Sequence, residues 1–164
     1  MKHVYFVSLL LAALLTNAPF AYAGGDVARG KYLVTIMGCG DCHTPGYFLG
    51  KPDLAHPLSG SDVGFEVPGA GIHWGPNLTP DRETGLGKWS DKEIITAIRT
   101  GRRPDGSQLI PVMPYRNFSV LTDRDARAIV AYLRTLPPVH HAVPHPVPPG
   151  EKASAPYMTV VMPH

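Results

Sequence analysis

Two cysteines three positions apart, followed at once by a histidine, are the residues of this chain best placed to do chemistry: Cys39-Gly40-Asp41-Cys42-His43. Thiols at that spacing can each add to one of the two vinyl groups of a single porphyrin, so the run reads as the attachment site of one c-type haem. His43 then falls beneath the iron, where an imidazole nitrogen serves as axial ligand. The other uses of such a pair fit less well. A thioredoxin-type dithiol should open a helix after a strand in a βαβ unit, and no β-rich run precedes Cys39. A structural zinc site takes four protein ligands, and the chain has only these 2 cysteines.

Three further groups belong to the same chemistry. Pro111-Val112-Met113-Pro114 places a thioether between two prolines that restrict the backbone. A soft sulfur suits low-spin iron as sixth ligand and raises its potential; the alternative for Met113 is a flexible filler of the core. Met37, Met158 and Met162 are poorer candidates, the first by its closeness to Cys39, the others by lying in an irregular tail. Gly75-Pro76-Asn77-Leu78 is a tight turn whose Pro76 carbonyl can accept the second ring N–H of a metal-bound histidine. Trp89 offers an indole N–H to a haem propionate, or a hydrophobic staple to the helix that follows it. Arg102 and Arg103 are weaker propionate candidates, and His56 and His73 read as surface-loop residues rather than ligands.

The elements that must hold these groups are helical. Val27, Gly30, Val34 and Met37 recur at spacings of three and four, which predicts a helix from Asp26 to about Met37. Glycine weakens a helix relative to alanine, so Gly30 points to the close approach of another helix. From His43 to about His73 the density of glycine and proline predicts an irregular loop. Ser90-Asp91-Lys92-Glu93 is a capping box opening a helix to about Thr100, with Gly101 as its stop. Thr122 caps the last helix, which carries Asp123 and Asp125 in its first turn and ends near Leu136 before Pro137-Pro138. Ile129 and Tyr132 on its apolar stripe are expected to cross the first helix near Gly30 and Val34. Residues 139–164 form a Pro-rich tail with His140, His141, His145 and His164, read as a wrap over the domain or a flexible segment.

At 164 residues the chain is one domain's worth. Lys2, the apolar run Val4 to Leu15 and Ala21-Tyr22-Ala23 have the form of a cleavable signal peptide. The run is too short to span a bilayer, which takes about 20 residues. The expected division is therefore 1–23 signal peptide, 24–138 haem domain and 139–164 tail. Export agrees with the motif, because bacteria attach haem covalently outside the cytoplasmic membrane. The expected location is thus the periplasm, with no transmembrane span in the mature chain. The charge balance is 15 basic to 13 acidic side chains, and loss of Lys2 leaves a near-neutral protein. No nucleic-acid footprint is present.

The order of parts, C-x-x-C-H, Gly-Pro turn, capped helix, Met-Pro and terminal amphipathic helix, resembles a class I cytochrome c over about residues 26–137. More narrowly, Gly75-Pro76-Asn77-Leu78-Thr79-Pro80-Asp81 and the segment Asp123 to Arg134 are similar to cytochrome c subunits of periplasmic dehydrogenases. The resemblance implies an all-α fold with long Gly/Pro-rich loops around one haem, the first and last helices crossing, and His and Met axial ligands. It also implies an electron carrier rather than an enzyme, passing single electrons between a dehydrogenase and a respiratory acceptor. The partner is then a redox protein: a dehydrogenase, an oxidase or a membrane complex. Two alternatives stand beside it: a haem enzyme or gas-binding protein with a labile or absent Met ligand, and a fixed subunit of an oxidoreductase complex.

Overall fold

The computed structural model describes residues 23–163. The predicted leader lies outside the described residues except for Ala23, and His164 lies outside them as well. Helix α1 runs over Ala23–Ile36. Gly38 then takes a left-handed conformation (φ 66°) and turns the chain into a short helix, α2, Cys39–His43. Helix α3, Asp91–Thr100, begins at the expected capping box: Ser90 Oγ accepts from the Glu93 N–H, and the Glu93 carboxylate accepts from the Ser90 N–H at 2.7 Å. It ends at Gly101, whose left-handed φ of 73° lets its N–H close on the Ala97 carbonyl. A single turn, α4, covers Tyr115–Phe118, and α5 covers Asp123–Thr135, capped by Thr122 Oγ1 accepting from the Asp125 N–H at 3.1 Å.

The core forms where α1 crosses α5. Leu33 and Val34 of α1 bury against Ile129, Val130 and Leu133 of α5, with Ile94 of α3 joining them. Gly30 sits at the crossing. A Cβ there would overlap the Ala128 carbonyl oxygen and come within 2.8 Å of the Tyr132 Cβ. The helix-weakening residue is therefore what lets the two backbones meet.

The expected all-α fold is not the one adopted. Helix accounts for about a third of the described residues, and a three-stranded mixed sheet lies beside the helices. Strand β1, Gly64–Val67, pairs antiparallel with β2, Gly71–Trp74, in the register Gly64 to Trp74 and Val67 to Gly71. Strand β3, Tyr157–Met158, pairs parallel with β1 on its other edge. The hairpin lies inside the stretch read as an irregular loop. Its cause is nevertheless local. Phe65, Val67, Ile72 and Trp74 are aromatic or β-branched, and Val67-Pro68-Gly69-Ala70 makes a type II turn. Gly69 supplies the positive φ of 76°, and the Ala70 N–H donates to the Val67 carbonyl at 2.9 Å.

The tail is tied down over much of its length. Val139 and His141 bond to the loop at 77–84, and the His141 ring bonds the Ser59 carbonyl at 2.8 Å. Val147 exchanges two backbone hydrogen bonds with Ile72, at 2.8 and 2.9 Å, before the chain reaches β3. Both edges of the hairpin are thereby occupied by the tail, which removes two open rows of backbone donors and acceptors. Among the described residues no helix is long and apolar enough to cross a membrane.

Candidate haem site

Helix α2 exists to hold three side chains. Cys39 and Cys42 lie on it one turn apart, and His43 closes it, buried. The chain on either side is boxed in. Thr44 Oγ1 accepts from the Leu58 N–H at 3.1 Å, the Gly60 N–H donates to the His43 carbonyl at 2.8 Å, and the Ser61 N–H donates to the Gly75 carbonyl at 2.9 Å. Gly75 lies flat on this helix end: a Cβ would overlap the Cys42 carbonyl oxygen and stand 3.4 Å from His43 Nδ1.

His43 Nδ1 is 2.7 Å from the Pro76 carbonyl oxygen. A carbonyl only accepts, so this bond requires the proton on Nδ1 and leaves the Nε2 lone pair free to coordinate. Burial pushes the His43 pKa below the ordinary histidine value, and the Pro76 carbonyl opposes that only in part. The ring is held in the neutral, metal-binding form. The thiols are shifted in the opposite sense to those of redox dithiols. Burial pushes Cys39 up to about 11 and also raises Cys42. A reactive C-x-x-C pair favours the thiolate, so the setting disfavours disulfide chemistry.

All six residues singled out from the sequence, Cys39, Cys42, His43, Pro76, Trp89 and Met113, line one cavity of about 550 Å³. That is within the roughly 300–1,000 Å³ of pockets that enclose a whole ligand. Its apolar wall comes from Val34 of α1, Ile94 and Ile98 of α3, Ile129 and Leu133 of α5, and Phe65 of the hairpin. Met113 is half-buried, and both its backbone groups are fixed: its N–H donates to the Ile110 carbonyl at 3.1 Å, and its carbonyl accepts from the Tyr115 N–H at 2.8 Å. Trp89 is half-buried, its backbone carbonyl gripped by Arg134, which also donates to the Leu86 carbonyl at 3.1 Å and to Asp91. Arg103 reaches the cavity wall; Arg102 pairs through its backbone with Gln108 instead. His73 is on the wall too, with Nε2 bonded to the Ala70 carbonyl at 2.9 Å, whereas His56 is exposed and paired with Asp53.

Two residues of the site were not legible as such. Trp74, on β2, lines the cavity and is 7% exposed. Asn77 is buried just after the Pro76 turn. Its Oδ1 accepts from the N–H and the hydroxyl of Thr79 at 2.9 and 2.7 Å, while its Nδ2 donates to Thr84 Oγ1 at 3.0 Å and to the Val139 carbonyl at 2.7 Å. Asn77→Ala leaves those partners unsatisfied in a dry setting, so an expected loss of about 1–3 kcal/mol follows. Urea unfolding of the holoprotein, followed by far-ultraviolet circular dichroism, measures it.

The set fits a haem. It offers two thiols and a neutral imidazole on one short helix, a thioether on the same cavity, and apolar walls.

The model of the family described as Cytochrome c matches residues 27–137. The fructose dehydrogenase cytochrome subunit of Gluconobacter japonicus is 32% identical over 114 residues, 67% of this chain and 21% of that protein. The cytochrome c subunit of the quinone-type alcohol dehydrogenase of Gluconacetobacter polyoxogenes is 39% identical over 128 residues, 76% of this chain and 25% of that one. A diheme cytochrome c-type protein of Cereibacter sphaeroides is 38% identical over 135 residues, 77% of this chain and 42% of that one. The chain thus spans less than half the length of these curated relatives.

Proposed function

Since the chain belongs to the cytochrome c family, we propose that it is a periplasmic monohaem carrier passing single electrons between a dehydrogenase and a respiratory acceptor. Family membership gives it haem c, bound covalently through Cys39 and Cys42, and electron transfer as its work. The haem supplies a one-electron iron couple. The residues around it set its potential and keep other chemistry out. His43 Nε2 and Met113 Sδ are the two axial ligands in this reading, so that no iron position is left for substrate. The residues 24–138 are the haem domain and 139–164 its Pro- and His-rich tail, of which the part from Val139 to Met158 straps the domain.

The observation that carries the reading is the convergence of Cys39, Cys42, His43 and Met113 on one cavity, with His43 held neutral by burial and aimed by Pro76. Optical spectra of the holoprotein test it. The ferric form should show the weak far-red sulfur-to-iron band, and the ferrous form should not take up carbon monoxide. Rapid carbon monoxide binding with a high-spin spectrum would instead identify a gas-binding or catalytic haem protein.

A second reading is favoured by the names of the relatives, two of which are dehydrogenase subunits: a fixed redox subunit rather than a diffusing one. Size-exclusion chromatography of native extract, followed at a haem wavelength, separates the two. Elution near the mass of the lone chain supports the carrier; co-elution with a dehydrogenase activity supports the subunit.

A further inference from the structure

His141 lies in the tail, outside residues 27–137, the part of the chain that matches the family, and it joins two segments that both reach His43. Its Nδ1 is 2.8 Å from the Ser59 carbonyl oxygen. A carbonyl only accepts, so Nδ1 carries the proton and donates it. The backbone N–H of the same residue donates to Thr84 Oγ1 at 3.0 Å. One residue thus grips the segment 58–61 with its ring and the segment 77–84 with its main chain.

Each segment goes on to hold His43. In the first, the Gly60 N–H donates to the His43 carbonyl at 2.8 Å, and the Leu58 N–H donates to the hydroxyl of the neighbouring Thr44 at 3.1 Å. In the second, Thr84 Oγ1 accepts from Asn77 Nδ2 at 3.0 Å. Asn77 follows Pro76, whose carbonyl oxygen stands 2.7 Å from His43 Nδ1. The two segments also meet directly, where the Leu78 N–H donates to the Leu58 carbonyl at 2.8 Å. The main chain and the ring of His43 are therefore fixed from two sides, and His141 spans those sides. The fit is close. Gly60, at φ 110°, leaves room for the strap: a Cβ there would lie 2.5 Å from Val143 Cγ1 and 3.4 Å from His141 Nδ1.

We propose that His141 is a positioning residue for the iron: by clamping the two segments together it keeps the Pro76 carbonyl on His43 Nδ1 and so holds the reduction potential down. The inference rests on the reading of His43 as axial ligand. A ligating imidazole donates more strongly when its second N–H is well bonded, and stronger donation favours the ferric state. A slack Pro76 turn would release that hold. Among the hydrogen bonds that join Val139, His140 and His141 to the domain, the ring bond to Ser59 is the one made by a side chain of the tail. It is therefore the one that a substitution removes with the backbone left in place.

The test compares two variants of the holoprotein. His141→Phe keeps a flat ring and deletes the donor; His141→Asn puts an amide N–H where Nδ1–H stood. The midpoint potential should rise in His141→Phe and stay near the wild-type value in His141→Asn. In ferrous protein carrying nitrogen-labelled histidine, the His43 Nδ1 proton should exchange with solvent about tenfold faster in His141→Phe, the factor by which one lost hydrogen bond eases local opening. A wild-type potential and exchange rate in His141→Phe would show that the ring only fastens the tail, and would overturn the proposal. An equal rise in both variants would overturn it too, because the donor would then not be the cause. Should the variants not accumulate, the unaltered holoprotein gives a second measurement. Across urea concentrations below the unfolding transition, the ring protons on Nδ1 of His43 and of His141 should exchange through one shared opening; a His43 proton that exchanges while that of His141 stays protected sinks the idea. The underlying reading is checked separately. If His43 binds the iron, its carbon-bound ring protons in the ferrous wild type carry a large haem ring-current shift. Absence of that shift removes His43 from the iron, whereas its presence beside an unmoved potential removes only the role of His141.

Discussion

Gly75→Ala is expected to be the most damaging single-methyl change in the protein, lowering stability by about 3 kcal/mol, the top of the usual range for overpacking. The added carbon would overlap the Cys42 carbonyl oxygen and stand 2.9 Å from the carbon of that carbonyl, against the roughly 3.5–4.0 Å at which such atoms rest. Neither side can yield cheaply. The Ser61 N–H pins the Gly75 carbonyl, and the Gly60 N–H pins the His43 carbonyl. Relief has to come from lifting the Pro76 turn off α2, which stretches the 2.7 Å contact between His43 Nδ1 and the Pro76 oxygen. In the proposed axial role of His43, that bond makes the imidazole a stronger electron donor to the iron. Weakening it disfavours the ferric state, so the potential should rise as the stability falls. Guanidinium unfolding followed by haem absorbance, with a redox titration of the same sample, checks both. A wild-type midpoint would show that the turn has room the structure does not indicate.

Met113→Ala should act in the other direction. Covalent haem stays in place, because the thioether links to Cys39 and Cys42 do not depend on Met113. The far-red band disappears, the ferrous form becomes open to carbon monoxide, and the potential falls by on the order of 100 mV or more, within the ~0.8 V that axial ligation commands. The sign follows from the ligand: a thioether favours ferrous iron, and its replacement by water or hydroxide favours ferric iron. Spectra and potential unchanged from wild type would remove Met113 from the iron. Together the two variants test the two proposed axial ligands separately, one through the turn that aims the imidazole and one through the thioether itself.

The sequence was most legible where the chemistry is local. The Ser90 box, the Thr122 cap and Gly101 each act within four residues, and the ends of α3 and α5 fall where those residues put them. Gly30 announced a helix crossing because glycine has few other reasons to interrupt such a stripe. The hairpin was hidden by its own glycines. Gly64 and Gly71 sit at strand positions, and both serve close contacts, with Trp74 and with the Val147 carbonyl. The Pro68-Gly69 turn was the available signal. Asn77 and the tail were illegible for another reason. The Asn77 amide meets a carbonyl 62 residues away, and a Pro-rich segment with no hydrophobic period carries no mark of the edges it will join.

The strap from Val139 onward has a consequence in time. The Asn77 amide meets a carbonyl 62 residues further along the chain, and closing so long a loop costs more entropy than the local bonds around it, so in folding the turn that carries Pro76 gains its brace after its local bonds have formed.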